Sequence, residues 1–223
     1  MTTAKKQDSF FNFENATVLI LAPHTDDGEF GCGGTISKIR SHGGRIVYIA
    51  FSAAEQSVPS HLPRDILRTE VLAATAKLGI PRNDCLILDF EVRNFHARRQ
   101  DILEQMVKLN ETYQPNMVLL PSSMDTHQDH YVISQEGFRA FKRCTMLGYE
   151  IPWNNLNFET SCFVALDESH IATKVAALKC YESQRGRNYA SEEFVRSLAV
   201  TRGTQIGKRY AEAFEVIRLI MDR

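Results

Sequence analysis

The chain is predicted to be an α/β protein: a three-layer, Rossmann-like domain whose mostly parallel sheet is covered by helices on both faces. Short, continuously apolar runs recur along it, and segments with helical spacing lie between them. Hydrophobic residues make up 43% of the 223 positions and charged residues 24%, a balance that suits a packed globular core. Alternation of strand and helix favours parallel pairing with helical crossovers.

The first strand is Thr17–Ala22, apolar throughout and β-branched at its start, as a strand buried on both faces should be. Similar runs follow at Ile46–Phe51, Cys85–Phe90, Met117–Pro121 and Cys162–Leu166. Ile66, Leu67, Val71, Ala74 and Leu78 fall on one helical stripe, which Gly79 and Pro81 bring to an end. Ile102, Leu103, Met106, Val107 and Leu109 form a second stripe that stops before Pro115. Gly148–Phe158, with Pro152, Trp153 and three asparagines, is the longest irregular segment, and loops of that length are usually functional. Residues 1–14 carry no period and are expected to form an arm; residues 15–223 are expected to form a single domain.

A formal net charge of −1 gives no general attraction to nucleic acid or to an anionic membrane surface. Five cysteines, widely spread and without a C-x-x-C pair, suit reduced thiols better than a disulfide framework. The polar N-terminus lacks a signal-peptide core, and no apolar run approaches the ~20 residues that span a bilayer. A soluble, cytoplasmic protein is expected, and a homo-oligomer is compatible with the sequence.

In open parallel sheets, sites form just past the carboxyl ends of strands. Two polar clusters occupy such positions: Pro23-His24-Thr25-Asp26-Asp27 after the first strand and Asp125-Thr126-His127-Gln128-Asp129-His130 after the fourth. Zinc takes imidazole nitrogen and carboxylate oxygen, and a catalytic site uses three protein ligands. His24, Asp27 and His130 can supply them, with the i, i+3 pair aimed from one turn at a helix start. Asp26 is then free to take a proton, and His127 to stabilise an oxyanion or protonate a leaving amine. A lone His-x-x-Asp is weak, and an aspartate after a strand is often only a helix cap. Two His/Asp clusters at successive strand ends are stronger.

Pro23-His24-Thr25-Asp26-Asp27 with Gly31-Cys32-Gly33-Gly34, together with His127-Gln128-Asp129-His130, resembles the PIG-L/LmbE-like family of zinc N-deacetylases. Glu70 to Gly79 resembles that family's second helix and Tyr181-Glu182-Ser183-Gln184 its Ser-Gln turn. Arg202-Gly203 and Tyr210–Phe214 resemble its closing helix. The resemblance implies removal of an acetyl group from an N-acetylated sugar or glycoconjugate. By position it implies His24, Asp27 and His130 as zinc ligands, Asp26 as general base and His127 as the group that steadies the tetrahedral intermediate. It implies that Asp129 orients His127 or His130. Two histidines and an aspartate also suit iron, manganese or cobalt. Thr25 stands where the family usually has proline. The family's Pro-Asp-Gly after the third strand is replaced by Phe90-Glu91-Val92-Arg93-Asn94.

Arg93 and Trp153 are candidate substrate contacts, Arg93 for a phosphate or carboxylate and Trp153 for stacking on a sugar face. The resemblance implies Arg68 as a sugar contact, since it lies in the segment where the family often holds a sugar-contacting arginine. Tyr181 either approaches the site or caps its helix. Gly31, Gly33 and Gly34 read foremost as close packing of helix on sheet. The same glycines suggest a rival, a nucleotide or S-adenosylmethionine binder, but such folds place their glycines at the strand's very end. A non-catalytic carbohydrate-binding module is the second rival; an aspartate kept beside intact ligands argues against it.

Overall fold

The computed structural model describes residues 13–221. Thirteen elements follow one another: β1 (Thr17–Ala22), α1 (Asp27–Ser41), β2 (Arg45–Ala50), α2 (Ile66–Lys77), β3 (Cys85–Ile87), α3 (Arg99–Tyr113), β4 (Met117–Pro121), α4 (Gln128–Ala140), β5 (Thr145–Tyr149), β6 (Cys162–Leu166), α5 (Glu168–Leu178), α6 (Glu192–Thr204) and β7 (Tyr210–Arg218). They build one seven-stranded sheet in the order β3-β2-β1-β4-β5-β7-β6. The first five strands in that order pair in parallel, and β7 runs antiparallel to both β5 and β6.

The strands are buried on both faces because each alternates its side chains between two cores. Val18, Ile20 and Ala22 face α1, α2, α5 and α6, whereas Leu19 and Leu21 face α3 and α4. Each fully buried aliphatic side chain contributes roughly 1.5–3 kcal/mol. Both expected helical stripes are present, with Leu67, Val71, Ala74 and Leu78 of one and Ile102, Met106 and Leu109 of the other buried. Among the described residues no helix is long and apolar enough to cross a membrane. Of the expected N-terminal arm, 1–14, residues 1–12 lie outside the described residues.

Four expectations are corrected. Tyr210–Phe214 begins a nine-residue strand and not a closing helix; α6 is the last helix. Its Ala/Glu content favours helix locally, but period-two burial wins: Tyr210 and Phe214 enter one core and Ile217 packs against the other. β5 was not expected, and it claims Gly148 and Tyr149 from the segment read as irregular. β3 ends at Ile87, well short of Phe90, since it pairs only with the last residues of β2. β2 itself covers Arg45–Ala50, one residue earlier than expected.

The glycines of α1 are packing residues. A Cβ on Gly31 would stand 2.3 Å from the Tyr149 ring, and one on Gly28 would stand 2.5 Å from that of Tyr48. Beyond a break in helical geometry at Cys32, the N–H groups of Gly34 and Thr35 donate to Glu212 at 2.9 and 2.7 Å. Those donors are therefore taken by a carboxylate of the chain itself, which removes the case for a phosphate cradle. Overpacking typically costs about 1–3 kcal/mol, so Gly31→Ala should lower stability by that amount in chemical denaturation. A variant as stable as the wild type would contradict the packing role.

Candidate functional site

The strand order reverses between β1 and β4, which pair side by side. Crevices at such a reversal are where open α/β sheets place ligands. β1 delivers His24, Asp26 and Asp27 to this point, and β4 delivers Asp125, His127, Asp129 and His130. The two clusters read from the sequence therefore meet.

Two buried carboxylates fix the imidazoles. Asp129, wholly buried, lies 3.0 Å from His24 Nε2. Asp125 lies 2.7 Å from His130 Nδ1. A carboxylate only accepts, so each imidazole carries a proton on the nitrogen facing it. His24 Nδ1 and His130 Nε2 are left to face inward, 3.4 Å apart. Asp27 Oδ2 completes a triangle, 3.1 Å from the first and 3.2 Å from the second.

This triangle passes a simple fit test. Zinc bonds of 2.0–2.1 Å in tetrahedral geometry separate neighbouring donors by about 3.3 Å. Charge points the same way. Burial is the largest single effect and disfavours both imidazolium forms. Asp27, together with the hydrogen bonds to Asp129 at His24 and to Asp125 at His130, outweighs it, raising His24 to about 9 and His130 to about 10. Burial also works against charge on Asp27, but His130 and His24 hold its pKa well below the usual carboxylate range. A buried group of carboxylates and imidazoles so arranged favours positive charge at its centre, which a divalent cation would supply.

His24, His127 and His130 also present donor atoms within 4.8 Å of one another. Asp27 lies closer to the two shared histidines than that limit requires, and His127 is held differently. Its Nδ1 accepts from the Asp129 N–H at 3.2 Å, which puts its proton on Nε2. Burial and then the neighbouring His130 and His24 lower its pKa, keeping it a neutral donor. Asp26 is half-buried; burial and then Asp27 raise it to about 7, where a carboxylate exchanges protons near neutrality.

A cavity of about 340 Å³ opens beside these groups, bordered by Asp26, His127, Arg93, Trp153 and Arg187 among others. Arg93 borders this cavity, and Trp153 borders it inside an aromatic wall. It stacks on Tyr189 at 4.0 Å and meets Phe30 edge-on at 5.3 Å. Arg68 lies elsewhere: it pairs with Glu55 at 2.8 Å and with Asp89, facing a separate cavity. Asp129 orients His24 through its carboxylate, where His127 or His130 was expected. It reaches His127 only through its backbone N–H.

Asp125 and Arg187 had no role in the sequence reading. Only Asp125's place two residues before His127 hinted at its use: one oxygen accepts the His127 N–H at 2.8 Å while the other holds His130. Tyr181 is buried behind the site, its hydroxyl 2.8 Å from Thr25 O and 3.0 Å from Glu29 Oε1. The Ser-Gln turn is tied to α2, where buried Glu70 accepts the Ser183 N–H at 3.0 Å.

Together the fold and the cluster define an α/β protein with a buried His/Asp cluster at the reversal of its sheet. Residues 19–141 match the family model described as PIG-L, GlcNAc-PI de-N-acetylase, and the chain belongs to that family. It is 25% identical over 172 residues to the uncharacterized deacetylase YaiS of Escherichia coli, covering 74% of this chain and 90% of that one. N,N'-diacetylchitobiose deacetylase from Pyrococcus horikoshii superposes with a TM-score of 0.74 at 21% identity, over 91% of this chain and 84% of that one. A 4-carboxy-2-hydroxymuconate hydratase from Pseudomonas putida gives 0.73 at 19%, over 93% and 98%.

Partners that orient metal-binding histidines typically matter 10–100-fold in affinity. Asp125→Asn should therefore weaken zinc binding by about that factor in a chelator competition, with the fold intact by circular dichroism. Unchanged affinity would remove Asp125 from its positioning role.

Proposed function

We propose that this protein is a metal-dependent hydrolase that removes an N-acetyl group from an amino sugar or glycoconjugate. The observation that carries it is the convergence of His24, Asp27 and His130 beside Asp26 and His127 in one cavity. Family membership supports the reaction class. Fold alone does not, since the same architecture also serves a hydratase. The relatives named as deacetylases support an N-acetylated sugar as substrate.

His24, Asp27 and His130 would hold the ion, with zinc favoured by the donor types and by their spacing. A zinc ion in such a site lowers the pKa of a bound water to about 7. The chain's own groups do the rest. Asp26 takes a proton from the attacking water onto a carboxylate oxygen. His127, with Nε2 protonated, donates to the amide oxygen as negative charge gathers there. As the C–N bond breaks, the amine leaves with the proton that Asp26 had taken, and acetate and a free amino sugar result. The five cysteines, spread along the chain, support a reducing, cytoplasmic setting.

Elemental analysis should find one divalent ion per chain in the wild type and little in His130→Ala. Full occupancy in that variant would refute the ligand set. General-base contributions run about 10²–10⁴-fold, so Asp26→Asn should lose activity within or beyond that range while keeping its metal. Near-normal turnover would remove Asp26 as the base. An inactive variant that had also lost its metal would mean that the two aspartates exchange roles.

A further inference from the structure

Two arginines border the cavity, Arg93 and Arg187, and neither makes an ion pair among the described residues. Other arginines nearby are neutralised: Arg185 pairs with Glu182 at 2.8 Å, Arg68 with Glu55 and Asp89, Arg202 with Glu150. The Arg93 guanidinium donates only to the neutral Ser57 hydroxyl, at 3.1 Å. Both guanidinium groups are therefore free to meet an acid from outside the chain.

The backbone at Arg93 is the second observation. Its φ is +67°, left-handed, where glycine or asparagine fits with less strain. That conformation turns its N–H onto Asp129 Oδ2 at 2.7 Å, while its carbonyl accepts from Gln128 Nε2 at 3.1 Å. The loop that places the cation is thus tied to the same carboxylate that orients His24. Strain held by such contacts clusters at ligand-binding positions.

The rest of the wall includes Ser57, Asn154, Ser183 and Gln184, neutral groups suited to sugar hydroxyls. A neutral acetamido sugar needs no cation at the rim. We infer that the substrate of this site is an amino sugar bearing an anionic substituent, phosphate or carboxylate, clamped by Arg93 and Arg187. The inference rests on the deacetylase reading and adds the charge of the substrate to it. Guanidinium groups bind such oxyanions in paired hydrogen bonds, which sets the substrate's orientation as well as its affinity.

The test separates the clamp from the reaction. Binding of glucose 1-phosphate, glucuronate and methyl glucoside is measured by calorimetry on metal-loaded and chelator-treated protein. The anionic sugars should bind more tightly than methyl glucoside in both forms, and binding of either anion supports the clamp. Arg93→Ala and Arg187→Ala should each weaken that binding about tenfold or more. Arg187→Lys should retain part of it, and Arg185→Ala should stay within about twofold of wild type. Anion binding that ignores both arginines and vanishes on chelation would overturn the clamp and place the anion at the metal. In a second arm, acetate release from N-acetylglucosamine 1-phosphate is compared with release from its methyl glycoside. Wild type should prefer the phosphate about tenfold in kcat/KM, mainly through KM, and Arg187→Ala should lose that preference. Equal use of both substrates by the wild type would overturn the inference. No acetate from either, with arginine-dependent binding intact, would defeat the deacetylase reading and leave the clamp standing.

Discussion

Two buried carboxylates decide what this site is. Asp125 and Asp129 have no exposed role; each takes the outer nitrogen of one histidine and so turns the inner nitrogen toward Asp27. Without them both rings are free to rotate and to choose the other tautomer. With them, three donors stand at the corners of a triangle that suits a small divalent ion. Both carboxylates also accept backbone N–H groups, Asp129 from Arg93 and Asp125 from His127, so two loops around the site are held by the same side chains that orient the histidines.

The sheet is what allows those loops to meet. β1 and β4 lie adjacent although about a hundred residues separate their sequences, and both end at the same edge. α1 must then leave β1 closely packed over Tyr48 and Tyr149, a space that only glycine at positions 28 and 31 leaves open. Farther along α1, Glu212 from β7 takes two N–H groups and pairs with the buried Lys174. A buried pair of this kind is costly to break from one side, so it ties the antiparallel end of the sheet to the helix that carries Asp27.

Much of this was legible in the sequence. Apolar runs gave β1, β4 and β6 with their ends, and the polar clusters after two of them contained every metal-ligand candidate. The missed parts have physical reasons. β5 contains a glycine and carries no flanking punctuation, so nothing separates it from the loop that follows. β7 is rich in Ala and Glu, whose local preference for helix yields to burial on both faces. Arg68 was expected at the site from the family resemblance but is drawn away by Glu55 and Asp89, partners that spacing alone does not show. Asp125 is marked only by its place in the second polar cluster, and Arg187 reaches the cavity through tertiary placement that no short-range pattern shows.

The central claim is that Asp27, and not His127, joins His24 and His130 around the ion. X-ray absorption at the zinc edge of the metal-loaded protein counts imidazoles directly. The account predicts two imidazoles with the remaining donors oxygen, and the same count in His127→Ala. Three imidazoles in the wild type, falling to two in that variant, would contradict it.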